Sequence, residues 1–114
     1  MTTNGTKRTP STERRLQILL VGVGGQGVLT ASKVLGEAAH LAGLHAMVGQ
    51  LHGMSQRGGS VECSVLIGPG ESSFIIGPVD AVVAFEPLEA LRALPHMART
   101  TRVLMNQGTI APPS

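Results

Sequence analysis

Gly22, Gly24 and Gly27, in the stretch "VGVGGQGV", have the spacing that lets a backbone turn meet a phosphate. In a dinucleotide site the first glycine permits a tight turn, the second lets the pyrophosphate reach the main chain, and the third lets the next helix pack on the strand. Amides exposed at the helix start then favour an anion. Gly25 bares the turn further, and Gln26 is its one polar side chain. What separates a nucleotide site from a bare turn is an acid at the end of the second strand, about 20 residues on. There the chain reads Met47, Val48, Gly49, Gln50, Leu51, with no acid, and no arginine for a 2′-phosphate. Two readings stand together: cofactor binding by Gly22, Gly24, Gly25, Gln26 and Gly27, or glycines kept so that helix and strand can approach closely. An adenylating site of the ubiquitin-activating type shares this kind of turn, but the acidic and basic residues it needs downstream are not in place.

The second candidate is "HGMSQRGGS", where His52, Ser55, Gln56 and Arg57 precede Gly58 and Gly59. Burying so many polar groups is costly, which suits a loop at an edge that meets something. The Arg57 guanidinium can hold a carboxylate or phosphate in a bidentate pair, and an interface salt bridge is an equal alternative. Glu86, before Pro87, stands at a strand end where ligands bind in open α/β sheets, or serves as a helix N-cap. His40, His45 and His96 lack the paired spacing of a metal site and read as surface residues, so no metal is expected. Cys63 has apolar neighbours at strand spacing and reads as a buried thiol. No catalytic residue is assigned to this chain.

These residues need elements to hold them. "LQILLVGVGG" reads as a buried strand running into the turn, and a helix should follow from Thr30 to about Ala42. Its expected core stripe is Ala31, Val34, Leu35, Ala38, Leu41 and Ala42, with Lys33, Glu37 and His40 off it and Gly43 ending it. "LHAMVGQL" gives a second strand. "VECSVLIG" alternates Val61, Cys63, Val65 and Ile67 against Glu62, Ser64 and Leu66, the period of a strand with one buried face. "DAVVAF" is a further buried strand, Pro87 suits a helix's first turn, Pro95 should stop that helix, and "RVLM" makes a last strand. The order predicts an α/β fold, a Rossmann-like, mostly parallel sheet with flanking helices. Such a sheet needs helices on both faces, and this pattern supplies two clear ones and then ends on a strand, so the domain is expected to be cut short at its C-terminus or covered by a partner.

Composition narrows the function classes. The chain has 114 residues, 42% of them hydrophobic, with Phe74 and Phe85 its only aromatics, so its core is built of small aliphatic contacts. The formal charge is +2, yet Lys7, Arg8, Arg14 and Arg15 against Glu13 give residues 1–15 a net +3 and leave the rest at −1. That pattern describes a flexible basic tail over residues 1–15 and argues against nucleic-acid binding. The tail has no apolar segment of a secretory signal, and no stretch approaches the roughly 20 apolar residues of a membrane span, which predicts a cytoplasmic chain without membrane contact. One cysteine cannot ligate an iron–sulfur cluster or close an intrachain disulfide.

"VGVGGQGVLTASKVLGEAA", "HGMSQRGGSV" and "AFEPLEALR", in this order, resemble the small, or beta, subunit of the indolepyruvate ferredoxin oxidoreductases, within the gamma-domain family of 2-oxoacid:ferredoxin oxidoreductases. The resemblance covers roughly residues 16 to 113, so residues 16–114 are identified as the N-terminal part of a gamma-type domain. It implies a subunit inactive alone, with thiamine diphosphate and iron–sulfur clusters on a large alpha subunit and no cofactor on this chain. The complex would decarboxylate an aryl pyruvate oxidatively, pass the acyl group to coenzyme A and send electrons to ferredoxin. Carried over by position, Gly22, Gly24, Gly25, Gln26 and Gly27 form the turn, while His52, Ser55, Gln56, Arg57, Gly58 and Gly59 form the loop facing the large subunit or its cleft. A freestanding Rossmann-like nucleotide-binding module and a purely structural subunit are the competing readings.

Overall fold

The computed structural model describes residues 15–24, 27–51, 59–70 and 74–106. The first apolar run becomes β1 (Leu16–Val23), followed by α1 (Val28–Leu41), β2 (Ala46–Leu51), β3 (Ser60–Ile67), β4 (Ala81–Ala84), α2 (Pro87–Arg92), a 3-10 turn (Leu94–His96) and β5 (Arg102–Met105). They form one five-stranded sheet in the order β2-β3-β1-β4-β5. β1 pairs parallel with β4, and β4 with β5, while β3 lies antiparallel to both β1 and β2.

The expected α/β sheet is therefore present, and β1, β2, β4 and β5 run the same way. Its departure from a Rossmann order is β3, inserted between β1 and β2. A parallel neighbour needs a crossover of a dozen or more residues, and the span from Leu51 to Ser60 is too short for one. The chain turns back on itself instead. β3 can take the inner position because Cys63, Ser64, Val65 and Leu66 are all buried. That corrects the expectation of one buried face: in the middle of the sheet the alternating pattern is covered on both sides.

Two core clusters lie on opposite faces of the sheet. Ile18, Leu20, Val28, Cys63 and Val65 pack under α1, and Leu19, Val21, Val79, Val82, Ala84 and Ala93 pack on the side of α2. At the far end of β1, Gln17 and Asp80 lock the sheet: the Gln17 amide donates to Asp80 Oδ2 at 2.8 Å, and the Asp80 amide donates to the Gln17 carbonyl at 2.9 Å.

Helix α1 begins at Val28, slightly before the expected start, and its inner face differs from the expected stripe. Val28, Ser32, Gly36 and Ala39 are buried, Ala31 and Leu35 pack at the margin, and Val34, Ala38, Leu41 and Ala42 are exposed. Size decides the rotation. A Cβ on Gly36 would stand 2.6 Å from Val48 Cγ2, so the small residues let the helix axis sit close to the sheet and push the large ones to the flanks or outward. Gly43, with φ 83°, follows the C-cap residue Ala42 as expected.

Candidate functional site

The two glycine-rich segments meet at the carboxyl end of β1. The Gly24 amide donates to the Gly59 carbonyl at 2.7 Å, just beyond the last rung of the β1–β3 ladder, where Val23 faces Ser60. Gly22 is buried within β1 opposite Val61, and Gly24, Gly27 and Gly59 are exposed. Gly25, Gln26, His52, Ser55, Gln56, Arg57 and Gly58 lie outside the described residues. The described residues that border them, Gly24, Gly27, Leu51 and Gly59, lie at one edge of the sheet, by the carboxyl ends of β1 and β2. Open α/β sheets place ligands at such an edge.

The glycines act differently from the dinucleotide pattern. Gly27 caps α1 with φ 83° and ψ 22°, and a Cβ there would meet nothing within 4 Å. Its requirement is the left-handed conformation, so the close-packing role expected of the third glycine falls to Gly36 instead. Gly59, with φ 75°, is fixed by the same backbone demand. Among the described residues no side chain caps α1, and its first turn holds no acid.

Beside that helix start lies a cleft of about 410 Å³, walled by Val23, Val28, Leu29 and Val61 with Thr30 and Gln50 as its polar side chains. Gln50 occupies the strand end where a ribose-binding acid was sought, and among the described lining residues there is neither a carboxylate nor a cation. The strand next to β1 at this end is β3, entering through Gly59 and Ser60, and not β2. The Rossmann geometry for a ribose is thus altered by topology as well as by residue type.

On the other face of the sheet is a polar node that the sequence reading missed. Glu89, only 3% exposed, accepts from the Ser60 hydroxyl at 3.1 Å. Arg92 Nη1 donates to Ser60 Oγ at 2.7 Å and to Glu89 Oε2 at 3.3 Å. A glutamate three residues before an arginine reads as a surface helix pair, whereas in the fold the glutamate is buried and bonded to Ser60 of another element. The remaining candidates resolve simply. Glu86 is the N-cap of α2, its carboxylate accepting from the Leu88 amide at 3.1 Å, and Pro87 follows in the first turn. Cys63 is fully buried. His40 and His45 are exposed and His96 is half-buried. Among the described residues no cluster of three or more His, Cys, Asp or Glu can hold a metal, and no helix is long and apolar enough to cross a membrane.

Comparison with known proteins agrees with this architecture. The chain is 48% identical over 101 residues to indolepyruvate oxidoreductase subunit IorB of Archaeoglobus fulgidus, covering 88% of this chain and 50% of that protein. It is 46% identical over 96 residues to the IorB subunit of Methanothermobacter thermautotrophicus, covering 83% of this chain and 49% of that one. The chain thus spans about half the length of the curated relatives it matches. The crystal structure of a keto/oxoacid ferredoxin oxidoreductase gamma subunit from Geobacter sulfurreducens superposes with a TM-score of 0.71 at 26% identity, covering 89% of this chain and 57% of that one. The family model for pyruvate ferredoxin/flavodoxin oxidoreductase matches residues 17–113, nearly the whole described sheet with both glycine segments, and the chain belongs to that family.

Proposed function

We propose that this chain forms part of the small subunit of a cytoplasmic 2-oxoacid ferredoxin oxidoreductase whose substrate is indolepyruvate or another aryl pyruvate. The observation that carries the reading is the match of residues 17–113 to the oxidoreductase family, and the Gly24–Gly59 hydrogen bond supports it by bringing the borders of the two glycine segments together at one edge, suited to a face turned toward a larger partner. The partner is a thiamine-diphosphate alpha subunit carrying iron–sulfur clusters, and coenzyme A and ferredoxin enter through the complex. Thiamine diphosphate supplies the carbanion chemistry of decarboxylation when bound to that partner. This chain offers one buried thiol, Cys63, which fits cluster ligation by other chains.

Within the complex, the work of this chain is positioning. Arg57 holds an anionic group, the oxoacid carboxylate or a coenzyme A phosphate, and the flanking glycines let the backbone come close to it. The turn at Gly22, Gly24, Gly25, Gln26 and Gly27 serves as scaffold for that loop. Ser55, Gln56 and His52 complete the face toward the large subunit.

Two experiments test this reading. A tagged chain, and any longer natural form of it, should capture from an anaerobic extract a large partner with indolepyruvate- and coenzyme A-dependent reduction of a viologen dye. In that assembled complex, Arg57→Ala should raise KM for the oxoacid or for coenzyme A by about tenfold or more, the loss of a charge-assisted hydrogen bond. Unchanged kinetics would remove Arg57 from the site, and a chain captured alone and inactive in every form would remove the subunit reading.

A further inference from the structure

The polar node of Ser60, Glu89 and Arg92 lies directly behind the junction of the two glycine segments. Ser60 is the first residue of β3 and faces Val23, the last residue of β1. The residue before it, Gly59, accepts from the Gly24 amide. Glu89 belongs to the short helix α2, yet it is buried, and its carboxylate accepts from Ser60 and Arg92. A carboxylate at 3% exposure is retained at a desolvation cost that its partners must offset, so its place is tightly defined. Helix packing alone would be served better by an apolar residue there.

We propose that Glu89 is a positioning residue: through the Ser60 hydroxyl it fixes where β3 leaves Gly59, and so holds Gly59 and Gly24, the described borders of the two glycine segments, in register at the edge turned toward the reaction. Arg92 supports it by donating to both the hydroxyl and the carboxylate. The structural link runs from α2 to Ser60, to the Gly59 carbonyl, to the Gly24 amide. Its effect on catalysis rests on the functional reading above, whereas its effect on the two turns does not.

The test uses the assembled complex and two readouts. Glu89→Ala should speed hydrogen exchange in the peptides containing Gly24 and Gly59. It should also raise KM for the same substrate that Arg57→Ala affects, by about tenfold, with kcat within about twofold of the parent. Glu89→Gln, whose amide oxygen still accepts from Ser60 and Arg92, should restore most of both. Ser60→Ala removes only the relay hydroxyl, is the second variant should Glu89→Ala fail to assemble, and should give the same pattern. Unchanged exchange around Gly24 and Gly59 in the alanine variants, or a glutamine variant as impaired as the alanine one, overturns the proposal. Faster exchange with unaltered KM in both the Glu89 and the Arg57 variants supports the positioning of the turns and instead overturns the assignment of this edge to the substrate.

Discussion

Helices α1 and α2 use opposite solutions to the same sheet. α1 lays Ser32, Gly36 and Ala39 on the strands and comes close, while α2 buries Glu89 and leaves Leu91 62% exposed. The strands beneath them differ in the same way. Leu19, Cys63, Val65 and Val82 are fully buried at the centre, whereas at the β5 edge Leu104 is 65% exposed. Leu88, Leu91 and Leu94 of the α2 side join Val103 and Met105 of β5 around a groove of about 540 Å³. An exposed apolar patch of this kind marks a surface used for association. The contrast separates two regions: a fully covered centre and a β5 flank that leaves apolar side chains open.

Substitutions can break or sharpen that contrast. Leu19→Ala, at the fully buried centre, should cost about 2–5 kcal/mol in urea unfolding. A cost below about 1 kcal/mol would mean that the centre is not what holds the chain together. Gly36→Ala should cost about 1–3 kcal/mol, because its new Cβ collides with Val48, and combining it with Val48→Ala should recover much of the loss. Simple additivity in that double variant would contradict the close approach of α1. Glu86→Ala, which removes the N-cap of α2, should cost about 1 kcal/mol by the same measurement. At the flank, Leu91→Ser should change unfolding by no more than about 0.5 kcal/mol in the same titration. A large loss of stability at Leu91 would erase the distinction between centre and flank.

Features written in adjacent residues were legible in the sequence. β1 announces itself as an apolar run into glycines, Gly43 ends α1, Glu86 and Pro87 open α2, and Cys63 sits buried at strand spacing. Features decided by distant partners were not. The place of β3 between β1 and β2 depends on pairing that no local period records. The inner face of α1 was misread because hydrophobicity pointed to Val34 and Leu41, while the space above the sheet admits only small side chains. Leu41, at 87% exposure, is the clearest case. Of the site, the two glycine segments were visible as motifs, but their meeting at Gly24 and Gly59 was not, nor was buried Glu89, whose partner Ser60 comes from a distant strand.

The hydrogen bond from Gly24 to Gly59 also has a meaning in time. The glycine motif after β1 looks local, yet the Gly24 amide is satisfied by a carbonyl reached only after α1, β2 and the residues beyond them. Closing that long stretch costs entropy before the contact returns anything, and the Gly24–Gly59 contact can form only once β3 lies beside β1. During synthesis that contact waits for β3 to emerge, so this edge of the sheet is completed only after β1, α1 and β2 have been made.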